Sequence, residues 1–345
     1  MRELLISAEK IIDCLNDGVY VCDRNRRIVF WSKSAERITG WRSEDVLGRA
    51  CLEDILNHVD KDGHRLCGEE YCPLHRAMIT GVTTQVPIIV FARRKDGSRV
   101  PTQVTTAPIQ NEPGEIIGGV EPFSDVSPIL VDLERAQKIQ RQALQCDLPE
   151  DQRLRFSTLF MPYDIVGGDY YAIQPLDADR YGFLLADMEG HGVAAALYAM
   201  HLSILWKRHY HLLKSPAAFA AAINEDLVKI FGSVVTFATA MCGVIDAGAG
   251  TLCFTGAGGP PPVIIHENWV VEEPKSTGPP LGVMEDVPYK EKTVTLDSGD
   301  SVLLFSDGAI EIQNAENEWL GIGGFTQILK ALGYPKKPLR METLE

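Results

Sequence analysis

The spacing of apolar positions divides the chain into stretches of different style. Up to about residue 126, short runs with strand character are separated by polar turns: GVYVCD and RIVFWS, joined by Asp23-Arg24-Asn25-Arg26, and later TTQVPIIVFARR, RVPTQVTTAPI and EIIGGVEPF. The connections KDGS and NEPGE are hairpin chemistry, so the last three strands are predicted to be antiparallel neighbours. Between the two groups lie short helical patterns, SKSAERITGW, SEDVLG with Ser43 as its expected N-cap, and residues 73–80. Leu4, Leu5, Ala8, Ile11, Ile12 and Leu15 recur at helical spacing and predict an amphipathic helix leading in.

Residues 128–148 contain no glycine and no internal proline, and strong helix formers fill them. Leu130, Leu133, Gln137, Gln140 and Leu144 fall at roughly a/d spacing, which predicts a helix that pairs with a copy of itself. A single helix docked on one domain is the competing reading. Two glutamines in the seam would weaken the pairing, a useful property in a connector that changes state.

Beyond residue 150 the strands lengthen: LRFSTLFMP, GGDYYAIQPL and RYGFLLADM, the last two joined by Asp177-Ala178-Asp179-Arg180. Helices are predicted over residues 193–213 and 216–231, followed by three or four strands from FATAMCGVID to WVVEE and then VTLDSGDSVLLFSDG. Strands, a helix pair and strands again predict antiparallel sheets packed on each other with helices outside. Within this stretch the apolar run YGFLLADM ends on Asp187, before Gly190-His191-Gly192 opens a small-residue helix. VGGDYY sets Asp169 after two glycines, and VLLFSDG sets Asp307 at the end of another apolar run. Three carboxylates at strand ends, each near glycine, are what a hard-metal site needs. GAGGPPP resembles a phosphate-cradling loop, but its prolines remove donors and it reads as a structural corner.

Length and composition narrow the picture. With 345 residues and 45% hydrophobic content, the chain is large enough for two folded domains. Its net charge is −14, with 16 basic against 19 acidic residues up to residue 126 and 17 against 28 beyond. Acidity concentrated in the second part argues against nucleic-acid binding and suits a cation site. No apolar run approaches the ~20 residues of a membrane span, and the first residues lack a signal-peptide pattern. The expected location is the cytoplasm, where the eight scattered cysteines default to reduced thiols. His58, His64, Cys67, Cys72 and His75 lie close together in sequence, which leaves structural roles, a redox-sensitive thiol pair and metal or haem ligation all open.

The stretch NDGVYVCDRNRRIVFWSKSAERITGWRSEDVLGR, with RRKDGSRVPTQVTTAPI, resembles the PAS sensor family over residues 8–126. The resemblance implies an antiparallel five-stranded sheet with helices and leaves the ligand unknown. Cys51 sits where flavin-binding photoreceptor relatives carry a reactive cysteine, although its neighbours differ from theirs. YDIVGGDYYAI, LLADMEGHGVAAALYA, FTGAGGPPPVII, TGPPLGV and LLFSDGAIE resemble the metal-dependent protein serine/threonine phosphatases, in the bacterial stage II sporulation protein E branch, over residues 138–325.

The two resemblances together imply an α+β chain: a PAS sensor domain over 1–126, a helical linker over 127–150, and a PP2C-like α-β-β-α sandwich over 151–345. The phosphatase resemblance implies two manganese or magnesium ions, with Asp169, Asp187 and Asp307 as catalytic and metal-binding residues and the Met188 carbonyl as a further ligand. The expected substrate is a phosphorylated protein of the anti-sigma-factor antagonist type, and the expected assembly is a homodimer through PAS and linker. The family's terminal strand with paired aspartates is not found in these 345 residues. This raises the alternative of a catalytically weak adaptor that binds the phosphoprotein without turnover.

Overall fold

The computed structural model describes residues 8–334 apart from 54, 69, 70, 85, 163, 233, 276, 277 and 315. Leu4 and Leu5 of the predicted leading helix, and the terminal stretch 335–345, lie outside the described residues. Two compact units divide the chain, Met1–Asp132 and Leu133–Glu345.

In the first unit, α1 (Ala8–Asp13), β1 (Gly18–Asp23) and β2 (Ile28–Trp31) are followed by α2 (Lys33–Thr39), α3 (Ser43–Val46) and α4 (Pro73–Thr80). Then come β3 (Ile88–Arg93), β4 (Arg99–Val104), β5 (Ala107–Gln110) and β6 (Ile116–Asp125). The sheet runs β2-β1-β6-β4-β3, with β5 also on β6. Six strands form where the sequence predicts five, because RVPTQVTTAPI is assigned as β4 and β5.

The two pieces keep one register along β6, with Val104 opposite Phe123 and Ala107 opposite Val120. Between them the Thr105 N–H donates to the Pro122 carbonyl at 3.2 Å, and Pro122 has no N–H to return. One missing donor splits a continuous strand in two. Tyr20, Trp31, Leu74, Val100 and Phe123 belong to the core of this unit. At α3 the N-cap is Arg42 rather than Ser43: the Asp45 carboxylate accepts the Arg42 backbone N–H at 3.2 Å, which starts the helix one residue earlier than expected.

The predicted connector is α5 (Ser127–Ala143). The second unit contains β7 (Asp169–Pro175), β8 (Arg180–Met188), α6 (Val193–His209), α7 (Pro216–Phe231), β9 (Ala238–Asp246) and β10 (Thr251–Ala257). It continues with β11 (Val263–Ile265), β12 (Val271–Glu272), β13 (Lys292–Thr295), β14 (Ser301–Leu303) and α8 (Gly321–Ala331). The helix predicted over 193–213 leaves α geometry at His209 and closes as a 3-10 turn over Tyr210–Lys214. Residues 154–162 form no strand. Their alternation fails at Leu159-Phe160-Met161, and ring contacts hold the segment instead, Phe156 against Tyr181 at 5.2 Å and Phe160 against Tyr171 at 6.1 Å.

Alternation along β8 sets the layers. Leu184, Ala186 and Met188 pack with Leu202 of α6 and with Phe219 and Leu227 of α7. Phe183 points the other way, to a cluster with Met241, Leu252 and Phe254 against which Val302 and Leu304 pack. The five-stranded sheet β13-β10-β9-β8-β7 is thus covered by helices on one face and by the small sheet β12-β11-β14 on the other. Leu303 and Phe305 pack outward with Val263, Ile265 and Leu329, so α8 closes the far side. The result is an α-β-β-α sandwich. No described helix is long and apolar enough to cross a membrane.

Gly243 lies opposite Phe183 in the middle of this sandwich. A Cβ there would stand 2.5 Å from the Cys253 carbonyl oxygen and 2.6 Å from the Phe183 ring. Gly243→Ala should therefore destabilise the second unit by about 2 kcal/mol in a denaturant melt, in the range for overpacked cores. Gly323→Ala in α8, where a Cβ would meet nothing within 4 Å, should be neutral or stabilising by up to about 1 kcal/mol.

Candidate metal centre

Two strand ends and one turn build the site. The β7–β8 hairpin is closed at its far end by the Leu176 N–H donating to the Arg180 carbonyl at 2.8 Å, and by Asp177, whose carboxylate accepts the N–H groups of Asp179 and Arg180. With that end fixed, Asp169 falls directly opposite Asp187 at the other. Both share the face of Phe183, toward the small sheet. From that side β14 leads through Leu304, Phe305 and Ser306 to Asp307, which opens a 3-10 turn, Asp307–Ala309. The sequence predicts Asp307 at a strand end, but pairing stops at Leu303, opposite Val263. Pro260, Pro261 and Pro262 precede Val263 and have no N–H groups to extend the ladder.

The three carboxyls crowd one another. Burial, then the charges of Asp169 and Asp307, push the Asp187 carboxyl up to about 7. Burial raises Asp169 as well. Asp169 Oδ1 is buried with no hydrogen-bond partner, a costly condition that a cation relieves. Oxygen donors, like charges and an orphaned buried oxygen together fit hard divalent ions.

Backbone completes the site. The Met188 N–H donates to the Gly168 carbonyl at 3.4 Å, and a Cβ on residue 168 would stand 3.3 Å from the Met188 oxygen and 3.2 Å from Ala195 Cβ. A side chain there would be a tight fit, and glycine eases the close approach of the strand ends. The Met188 side chain is buried under α6, so its carbonyl is the group available to the site. Thr239, Gly259, Pro260 and Ser306 line a narrow crevice with Asp187. The GAGGPPP corner is therefore also a wall of the site.

In the first unit no three of the six candidate ligands, all among the described residues, bring their ligand atoms together. His64 is exposed and pairs with Asp60 at 3.0 Å; these two and Asp62 are the one group of three His, Cys, Asp or Glu side chains with clustered ligand atoms among the described residues. Cys51 is buried and shares a hydrogen bond with Cys22. Cys67 Sγ accepts the His58 N–H at 3.1 Å, and Cys72 precedes α4. Burial pushes Cys67 up to about 12 and Cys72 up to about 11, which keeps both as thiols at neutral pH. His75 lies on α4, half buried.

Two residues outside the predicted set matter more. His58 Nε2 lies 3.8 Å from the Glu121 carboxyl, and both side chains are almost fully buried. Desolvation pushes Glu121 up to about 8, and desolvation followed by the charge of Arg99 pushes His58 down to about 4, so both are held neutral. Glu121 occupies the buried phase of β6 with Gly119 and Phe123, an alternation visible in GGVEPF. In the second unit the unpredicted contact is Gln140 of α5. It is buried and hydrogen-bonded to Gly167, two residues before Asp169.

Residues 177–341 match the family described as Stage II sporulation protein E, and residues 8–122 match the PAS fold. The chain is 26% identical over 183 residues to phosphoserine phosphatase RsbP of Bacillus subtilis (strain 168), covering 52% of this chain and 45% of that protein. It is 24% identical over 193 residues to phosphoserine phosphatase RsbU of the same organism, covering 55% and 56%. The chain thus spans about half the length of these curated relatives. Among solved structures, the SiaA-PP2C domain of Pseudomonas aeruginosa has the same fold, with a TM-score of 0.50 at 24% identity over 59% of this chain and 82% of that one. The chain thus joins a stretch that matches the PAS fold to one that matches the stage II sporulation protein E family.

Proposed function

We propose that the second unit is a divalent-metal-dependent protein phosphatase that hydrolyses phosphoserine or phosphothreonine on a partner protein. The observation that carries this reading is the meeting of Asp169, Asp187 and Asp307 at one end of the sandwich, with a buried oxygen of Asp169 left without a partner. Asp169, Asp187, Asp307 and the Met188 carbonyl would hold two manganese or magnesium ions, which when bound neutralise phosphoryl charge and activate water. The Asp169–Asp187 pairing holds two of those ligands at a fixed separation, and Gly168 lets the Met188 backbone lie beside them. The open side of the crevice by Ser306 and Pro260 receives the phosphorylated side chain.

Two relatives named as phosphoserine phosphatases support the reaction class. The family resemblance supports an anti-sigma-factor antagonist as substrate, opposed by an anti-sigma kinase. The PAS unit supplies control, and the eight free cysteines suit a cytoplasmic setting. A homodimer through the first unit and α5 fits the exposed Ile129 and Ile139 on that helix.

Phosphate release from a serine-phosphorylated antagonist by the full chain should require Mn2+ or Mg2+. Asp187→Asn should lower kcat/KM on the order of 10³-fold, the loss of several kcal/mol of charge stabilisation. Tight binding without release by the wild type would refute the phosphatase reading.

Stability without metal should depend on pH in a definite direction. Asp187 binds its proton more tightly folded than unfolded, so stability should fall as pH rises from about 4, the unfolded carboxyl range, to about 7. Above that range Asp187→Asn should stabilise the metal-free protein by roughly 1–2 kcal/mol after allowing for solvent screening, and Mn2+ should stabilise only the wild type. Thermal melts at pH 5 and pH 8, with and without Mn2+, measure all three effects. For the dimer, sedimentation should give twice the chain mass, and Ile129→Asp with Ile139→Asp should give the monomer.

A further inference from the structure

Gln140 is an unusual residue to find buried. It sits on α5, which by composition is a solvated connector, yet it is only 5% exposed. Its amide makes three hydrogen bonds, none of them within its own helix. Nε2 donates to the Gly167 carbonyl at 2.7 Å and to the Ala196 carbonyl of α6 at 3.3 Å, while Oε1 accepts the Gly167 N–H at 3.1 Å. One turn earlier, Gln137 Nε2 donates to the Ile165 carbonyl at 2.6 Å. The two glutamines read from sequence as seam positions of a helix pair are thus bonded to the backbone of their own chain.

The segment they grip leads directly into the metal site. Gly167 is followed by Gly168, whose missing Cβ admits the Met188 carbonyl, and then by Asp169 with its unpartnered buried oxygen. Two successive glycines form a backbone with little intrinsic stiffness. An amide that fixes both the N–H and the C=O of Gly167 supplies the stiffness from outside. The Ala196 contact ties the same amide to the second turn of α6, the helix that follows Gly190-His191-Gly192.

We infer that Gln140 is a positioning residue for Asp169, so that the seating of the connector helix sets the affinity of the site for divalent cations. This rests on the metal-site reading above and deepens it. Asp169 is the last pair of the β7–β8 ladder, and seated, α5 fixes the Gly167-Gly168 backbone that leads into it. Unseated, that segment relaxes, and the end of the ladder is free to fray under the repulsion of its carboxylates. Leu133, where the second unit begins, lies two turns before Gln140 on the same helix. Whatever displaces the start of α5 therefore acts on a residue bonded to the metal loop.

The test uses the full chain and Mn2+ alone. Gln140→Met keeps side-chain length and helix propensity and removes all three hydrogen bonds. It should weaken Mn2+ binding by roughly 10- to 100-fold in calorimetry, the usual range for partners that orient a metal ligand. It should also speed amide hydrogen exchange at residues 167–170 in the metal-free protein. Val244→Ala, in the core beneath α7, serves as a control that lowers stability without touching the loop; it should leave Mn2+ affinity unchanged. Wild-type affinity in Gln140→Met, or an equal loss in Val244→Ala, would overturn the proposal. Asp187→Asn separates the two readings: if it binds Mn2+ as the wild type does, the metal assignment itself fails, whereas the exchange result on Gly167 stands or falls independently.

Discussion

Mutual repulsion among Asp169, Asp187 and Asp307 is the constraint that the second unit is built to withstand. Three carboxyls brought to one place oppose folding, and the shift of Asp187 to about 7, caused first by burial and then by the charges of Asp169 and Asp307, expresses that cost. The neighbouring structure supplies what holds them. Asp169 and Asp187 are locked by a seven-residue strand pairing, and Asp307 by a turn whose carbonyl accepts two N–H groups at 2.8 Å. Beneath them Leu184, Ala186 and Met188 anchor the same strand in the largest apolar cluster of the unit. Each strand therefore carries core on one face and charge on the other, and the core offsets the charge.

Most of the architecture was legible because it rests on local signals. The apolar run RYGFLLADM coincides with β8, and the predicted start at Pro216 coincides with that of α7, where Ser215 Oγ accepts the Ala218 N–H. The departures have physical causes that alternation does not encode. Pro122 divides the strand on the neighbouring segment, a cross-strand effect. Pro260 to Pro262 stop β14 short of Asp307 in the same manner, from forty residues away. Residues 154–162 looked like a strand because they are apolar, although what they pack against is aromatic rings rather than a backbone edge.

The chemistry was legible to a different depth. Asp169, Asp187 and Asp307 share a sequence style, a carboxylate beside glycine at the end of an apolar run, and they converge in space. The six thiols and imidazoles of the first unit share proximity in sequence, and among the described residues no three of them bring their ligand atoms together. Glu121 and Gln140 were missed because burial depends on distant contacts. A glutamate in a strand looks solvated, and Gln140 reads as a seam position of a helix pair, until contacts 63 residues away for Glu121 and His58 and 27 for Gln140 and Gly167 are known.

The hairpin turn from Leu176 to Arg180 acquires a meaning that its position hides. It lies seven residues from the carboxylates on either strand, about 24 Å along it. Yet it acts as the length gauge of the site, because the count of residues in that turn decides which side chain of β8 stands opposite Asp169. One residue inserted after Asp177 would bring Ala186 opposite Asp169 and slide Asp187 out of line with it. Insertions that surface loops ordinarily tolerate would there be read as errors of alignment, so the turn carries dimensional tolerance for chemistry at the other end of the strand.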